Sequence, residues 1–362
     1  MKKLLILKNY NNFIDLLHSN FIIKNDEHHI RLGLEWLINS QINGYRHSFH
    51  FAYGWQKEYP ETTGYIVPTM LECYKLFKDN RYYNSAKKAI VWLKSIQNSD
   101  GSFNDLNNKS QVFDTGQILI GFNYIYENFD EFNIKENLVK SADWLVEVQE
   151  HNGSWVKYAY NNIPHTYYSR VGWALIQAGK SVNNEKFYEA GIKNIEWVIS
   201  QQKKNGFFKY ASFDSNPAYL HTIAYILEGL IEIYKLLKDN KIIDTVLKNS
   251  EILLELSKDG ILCSQYNDRF ECVNDEKCLT GIAQWAGVCF DLHQITKKQE
   301  YLKEYEKNIL FLKSHQIIST NSNINGGITG SLPYNGSYMK YSIPNWSIKF
   351  FLDGLLKNYA KK

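Results

Sequence analysis

In SAKKAIVWLKSIQ (85–97) apolar side chains recur at i, i+3, i+4 and i+7 while the lysines fall on the other side, a spacing that predicts an amphipathic helix wet on one face. A second class of segment, QILIGFNYIYE, RVGWALIQAG, IAYILEGLIEIYKLL, GIAQWAGVCFDL and SIKFFLDGLL, is apolar nearly all round and predicts helices packed on most faces. The two classes alternate along the chain. Each half-wet helix is followed by a loop containing glycine (NSDGSF, EHNGSW, KKNGFF, KDGILC, INGGITG), expected to supply the left-handed residue that ends a helix, and then by a buried helix.

The alternation is a repeat. An aromatic residue followed five positions later by glutamine recurs as Trp36/Gln41, Trp92/Gln97, Trp144/Gln149, Trp197/Gln202 and Phe311/Gln316. The first four are 56, 52 and 53 residues apart, and the 114 residues from Trp197 to Phe311 leave room for one degenerate copy, filled by EILLELSKDG at 251–260. Six units of an outer and an inner helix predict an all-α fold, an (α/α)6 toroid spanning 1–362 as one domain. An open α-solenoid is the alternative, but it would leave apolar faces bare at both ends unless capped.

Composition narrows the partners. The chain of 362 residues is 44% hydrophobic and 15% aromatic, with 26 Tyr and 9 Trp, so core material is ample. A formal charge of +3 without like-sign runs gives no nucleic-acid footprint. Five cysteines, an odd number, argue against a disulfide framework and for a reducing compartment. With no signal-peptide core and no apolar run of about 18 residues, a cytoplasmic protein with no membrane span is expected.

QEHNGSW (149–155), with QNSDGSF (97–103) and QKKNGFF (202–208), resembles the Gln-x-x-x-Gly-x-Trp repeat of the squalene cyclase and prenyltransferase-like toroids. That resemblance implies the fold; it says little of chemistry, because the repeat is a packing device. No DxDD or DDxxD motif is present for terpene cyclisation. Protein prenyltransferases carry an Asp/Cys/His zinc site on such a toroid, and Cys263, Cys272 and Cys278 crowd one loop, Cys278 heading an inner helix beside that of His221. The spacing C-x8-C-x5-C is not that of a closed structural zinc site, so no metal and no cofactor is expected.

Polar residues gather where the inner helices open: EYPETTGY (58–65), FDTGQ (113–117), PHTYYSR (164–170), YLHTIAY (219–225), CLTGIAQ (278–284) and YSIPNWS (341–347). In a toroid these six heads converge on one end of the central cavity, with their positive helix ends. Thr62, Asp114, Thr166, Thr222 and Thr280 have the chemistry of N-caps; capping does not call for His165, Tyr167, Tyr168, Arg170, His221, Tyr225, Gln284, Asn345 or Trp346. Tyr158, Tyr160, Tyr338 and Tyr341 precede inner helices and fit a sugar-binding rim. Asp114 and Gln117 join the substrate contacts, and Glu61 with Asp114 is the carboxyl pair a glycoside hydrolase needs.

EYPETTGYIVPTMLECYKL (58–76) resembles a segment of the helical domain of D-glucuronyl C5-epimerases, and TGIAQWAGVCFDLHQITKKQEYL (280–302) resembles another, in reversed order. The resemblance implies Glu58 and Tyr59 in or near an active site; the family's β-rich N-terminal domains have no counterpart. The whole chain also resembles proteins encoded with bacterial surface-polysaccharide genes, whose ends read much like GGITGSLPYNGSYMKYSIPNWSIKFFLDGLL. The favoured expectation is an isomerase or lyase of surface-polysaccharide (capsule) biosynthesis acting on a sugar nucleotide or oligosaccharide. It would take the C5 proton of a uronic-acid-type residue, with Tyr59 or Tyr168 as base, its pKa depressed by a neighbouring arginine, and Arg170, His165 and helix N-termini stabilising the enolate. His221, Glu58 and Glu61 complete the expected catalytic set. A two-carboxylate hydrolase, a cyclase-like protein and a non-catalytic glycan-binding toroid are the alternatives.

Overall fold

The computed structural model describes residues 21–214 and 217–359, together with 15, 16 and 19. Among them twelve α-helices alternate between two layers. The outer helices are α1 (Asp26–Ser40), α3 (Asn80–Ile96), α5 (Lys135–Glu147), α7 (Glu185–Ser200), α9 (Asn240–Leu256) and α11 (Gln299–Lys313). The inner ones are α2 (Pro60–Phe77), α4 (Val112–Asn128), α6 (Ser169–Val182), α8 (Leu220–Leu237), α10 (Leu279–Thr296) and α12 (Asn345–Tyr359). Each inner helix packs on the next, and α12 returns to α2. The ring is closed, an (α/α)6 toroid, and the open solenoid is ruled out by that last contact.

Local chemistry separates the layers. Outer helices α1, α3, α7 and α9 start on Asn25, Asp79, Asn184 and Asp239, whose side chains accept a backbone N–H of the first turn. Inner helices α2, α4, α6, α8 and α10 start on Tyr59, Gln111, Tyr168, Tyr219 and Cys278, none of them a residue favoured for capping. Thr62, Thr166 and Thr222, expected as caps, donate instead to Tyr59 O, Lys209 O and Tyr219 O, and their neighbours tie the loops. Thr63 Oγ1 donates to Tyr59 O and accepts Tyr45 N–H, Thr115 Oγ1 donates to Gln111 O and accepts Phe103 N–H, so each pins the preceding loop to its inner helix.

The repeat glutamines join neighbouring units. Gln149 Nε2 donates to Gly153 O of its own loop and to Ala190 O of the next outer helix, at 3.2 and 2.9 Å. Gln97 and Gln202 do the same toward α5 and α9, and Gln316 reaches Gly326 O and His29 O, bringing the last unit back to α1. The degenerate unit has no glutamine; there Lys307 of α11 reaches back to Ser257 O and Gly260 O.

The loop glycines do not end helices as expected. Gly153 lies in the turn beyond α5 at φ +89°, and a Cβ there would sit 2.3 Å from Lys193 O, so the turn presses on the next outer helix. The left-handed residues that end helices are Lys78, Asn183, Lys238 and Lys297, each joining an inner helix to the following outer one. Among the described residues seven short strands lie at the heads of the inner helices: β1 (Ser48–His50), β2 (Gly54–Trp55), β3 (Ala218–Tyr219), β4 (Gln265–Tyr266), β5 (Lys277–Cys278), β6 (Ser331–Leu332) and β7 (Ser342–Pro344). β1 pairs antiparallel with both β2 and β7, Phe49 opposite Ile343, which ties the loop before α2 to the loop before α12.

Candidate active site

A cavity of about 450 Å³ opens where the inner helices begin. Tyr59, at the N-cap of α2, and Glu61, in its first turn, meet Asp114 from the first turn of α4 there. Phe113, Tyr167, Phe213, Tyr219, Tyr338 and Trp346 supply aromatic walls. Trp346 Nε1 donates to the Tyr338 hydroxyl at 2.8 Å, fixing two of those rings together. No lysine or arginine is among the described residues that line this cavity.

The two carboxyl groups are the electrostatic centre. Burial pushes Glu61 up to about 7, against the opposing pull of the Tyr59 phenol and of Arg170. Asp114 is pushed well above the ordinary carboxylate value, by burial first and then by the nearby charges of Glu61 and Asp105, and its Oδ1 is buried without a partner. The Tyr59 phenol lies beside both carboxyls, and burial with the Asp114 and Glu61 charges drives its own pKa well above 10. Both carboxyls are thereby held toward their protonated forms, by burial first.

His221 of α8 lines the same cavity, with its Nδ1 2.6 Å from Gln284 Oε1 of α10. Burial lowers its pKa to about 3, so the ring is neutral. Below it Gln284 Nε2 donates to Glu228 Oε2 at 3.1 Å, Arg170 donates to the same oxygen at 2.8 Å, and Arg170 Nε donates to Gln117 Oε1 at 2.7 Å. This layer forms a floor across the ring. Beneath it a second cavity of about 570 Å³ opens among the later turns of the inner helices, but its charges are matched within the protein, Lys349 with Asp353, Lys357 with Asp291 and Lys75 with Glu72.

The sequence-expected site residues therefore divide. Tyr59, Glu61, Asp114, Tyr160, Tyr167, His221, Tyr225, Tyr338 and Trp346 line the upper cavity; Arg170, Gln117 and Gln284 belong to the floor. The other six lie outside. Glu58 accepts the backbone N–H groups of Asn43 and Gly44 and shapes the loop before α2. His165 is buried between Ser212 O and Tyr160 O, and the Tyr168 hydroxyl accepts Tyr160 N–H, so both hold up the Tyr160 loop. Tyr158 packs against Trp144, Tyr341 is half-buried with a lysine over its ring, and Asn345 donates to Arg46 O and Thr62 Oγ1. The expectation of an arginine-depressed phenolate base is overturned for Tyr59 and Tyr168: burial raises both phenols, and Arg170 is committed to Glu228 and Gln117.

Sequence reading missed His47, Phe113, Phe213 and Tyr219, which line the cavity. His47 comes from the loop before β1, with its ring 4.7 Å from Trp346, and burial lowers its pKa to about 4. Its signal was the cluster RHSFH inside the loop that feeds α2; attention to helix openings alone passed over it. The cysteine reading is corrected as well. Cys263 and Cys272 form a disulfide across the β4 loop, while Cys278 is buried at the head of α10 with its thiol pushed up to about 12. Among the described residues no group of three or more His, Cys, Asp or Glu could hold a metal ion, and no helix is long and apolar enough to cross a membrane.

Comparisons agree with this architecture. The family model of the squalene-hopene cyclase C-terminal domain matches residues 58–225. An unsaturated glucuronyl hydrolase specific for heparin superposes with a TM-score of 0.75 at 18% identity, over 93% of this chain and 97% of that one. Cellobiose 2-epimerase from Bacillus thermoamylovorans gives 0.72 at 13% identity over 91% and 98%, and a D-mannose isomerase 0.72 at 13% over 93% and 97%. At such identities the likeness is one of fold. Among curated proteins none matches the sequence.

Proposed function

We propose that this chain is a glycoside hydrolase acting on the terminal residue of a neutral saccharide, with Asp114 and Glu61 as its carboxyl pair. The observation that carries the reading is two buried carboxyls meeting beside one phenol in an aromatic cavity, both with raised proton affinity, Glu61 to about 7. Asp114, as the protonated carboxyl, gives its proton to the departing glycosidic oxygen. Glu61, ionised, takes the proton of the water that adds at the anomeric carbon, so one water is consumed and two hydroxyl ends are formed. Tyr59 holds the two groups in register, and the rings of Phe113, Tyr167 and Trp346 offer faces for a sugar. The floor closes the cavity below, which favours a chain end over an internal residue. That several toroids of similar fold bear the names of sugar-processing enzymes supports the substrate class.

Proton abstraction at C5 of a uronic acid has less support, because the enolate and the substrate carboxylate would need a cation at a cavity whose described lining has none. Proton transfer at carbon keeps one observation in its favour, the neutral imidazoles of His221 and His47 in the same cavity. One experiment separates the two. Neutral oligosaccharides incubated with enzyme in D2O should release a free sugar carrying no carbon-bound deuterium, and Glu61→Gln and Asp114→Asn should each lower the rate by roughly 100-fold or more. Deuterium on carbon without bond cleavage would replace hydrolysis by epimerisation or isomerisation.

A further inference from the structure

Two donors converge on one oxygen in the floor. Arg170 cannot give up its charge in a protein, and its guanidinium donates to Glu228 Oε2, which also receives Gln284 Nε2. Because Arg170 can only donate, Glu228 Oε2 is an acceptor, and as a carboxylate oxygen it takes the NH2 side of the Gln284 amide, which leaves the amide carbonyl toward α8. That carbonyl oxygen faces His221 Nδ1 at 2.6 Å. A carbonyl has no proton to give, so Nδ1 carries the hydrogen of the neutral ring, and Nε2 is left with a bare lone pair.

Arg170, Glu228 and Gln284 come from three different inner helices, α6, α8 and α10, and Gln117, from a fourth, α4, holds Arg170 Nε. Gln284 is 1% exposed and His221 5% exposed, so water has little access to scramble the arrangement, and the ring of His221 is wedged against Tyr225 at 4.3 Å and Tyr338 at 5.4 Å. Flipping the ring would turn a carbon toward Gln284 Oε1 and lose that hydrogen bond, and flipping the amide would set its carbonyl against the Glu228 carboxylate, acceptor against acceptor.

We propose that Gln284, oriented by the Glu228–Arg170 pair, is a positioning residue that fixes His221 as the Nδ1–H tautomer, so that Nε2 selects a substrate bearing a hydroxyl donor at that point of the cavity. The contact between His221 and a saccharide rests on the functional reading above; the tautomer does not. A sugar hydroxyl donates to Nε2, whereas an analogue lacking that hydroxyl leaves the lone pair unpaired in a buried site and is rejected.

The test begins on the unmutated protein. Nitrogen-15 NMR of the imidazoles, with the His221 signals assigned by their loss in His221→Asn, should show a protonated Nδ1 and an unprotonated Nε2 near neutral pH. The opposite tautomer, or an equal mixture, overturns the proposal whatever the enzyme's activity. Gln284→Leu, with its fold checked by circular dichroism, should give a tautomer mixture and raise KM by roughly tenfold, about the value of one hydrogen bond. Unchanged spectra and KM in a folded Gln284→Leu also overturn it; if that variant does not fold, the spectrum of the unmutated chain decides. With a single-deoxy series of a saccharide that is turned over, one member should lose at least tenfold in kcat/KM, and the loss should shrink in Gln284→Leu. A correct tautomer in a protein that cleaves no saccharide would count against the hydrolase reading alone.

Discussion

Glu61 shows how a single buried carboxyl carries both a cost and a use. Its ordinary pKa is near 4.5 and its native one about 7. Below pH 4 it is protonated folded or unfolded and its burial is not penalised; as pH rises toward 7 the unfolded chain sheds the proton first, so folding stability falls, and above 7 the loss is complete. Glu61→Gln removes the ionisable group, so its unfolding free energy should exceed that of the parent at pH 8, by an amount on the order of 1–3 kcal/mol, and the gain should vanish at pH 4. A difference independent of pH would mean that Glu61 is not shifted. Tyr59 gives the kinetic counterpart. Its phenol lowers the Glu61 pKa, so Tyr59→Phe should move the acid limb of the pH–rate profile, where activity rises as Glu61 ionises, to higher pH. A limb that stays in place would remove Tyr59 from the pair.

At the scale of elements, the toroid could be read from alternating helix classes because the wet outer face and the dry inner one leave different periodicities, and Gln149 with its glycine marked the joints. Half-buried Gln149 answers two carbonyls at once, so Gln149→Leu should cost about 1–3 kcal/mol by leaving them unpaired. Gly153→Ala should cost at least as much, since it adds a Cβ at positive φ against Lys193 O. Denaturant titration measures both, and a cost below 0.5 kcal/mol for either would refute the joint's role. The site was legible in part. Tyr59, Glu61, Asp114 and His221 stood out because polar groups opening an apolar helix have few packing reasons to be there. Arg170 looked the same in sequence, yet one turn of helix carries its guanidinium down to Glu228 and out of the upper cavity. His165 and Glu58 were misplaced because backbone groups of loops, which leave no mark in a sequence, claim their side chains. Phe213 and Tyr219 enter from the loop that runs into α8, where no periodicity announces a wall.

For the whole molecule the closing contact of α12 with α2, reinforced by Gln316 on His29 O, makes six joints out of six units. Far-ultraviolet circular dichroism should be dominated by helix, and a strand-dominated spectrum would be incompatible with the ring. A closed ring has no end from which to fray, so loss of structure has to start at whichever joint is loosest. Five joints are clasped by glutamines, Gln41 joining the four already described by donating to Asn43 O and to Ser85 O of α3, and four of the five lie against a glycine turn pressed on the next outer helix. The remaining one depends on Lys307, whose side chain is 37% exposed and also pairs with Glu304, and on the exposed pair of Lys298 with Glu251, and the space around Gly260 is open, with nothing within 4 Å of where a Cβ would stand. Amide hydrogen exchange should therefore run fastest where α9 meets α11, and the ring should behave in slow opening like a clasped bracelet whose catch lies there, on the far side from the carboxyl pair, letting the molecule breathe without disturbing Glu61 and Asp114.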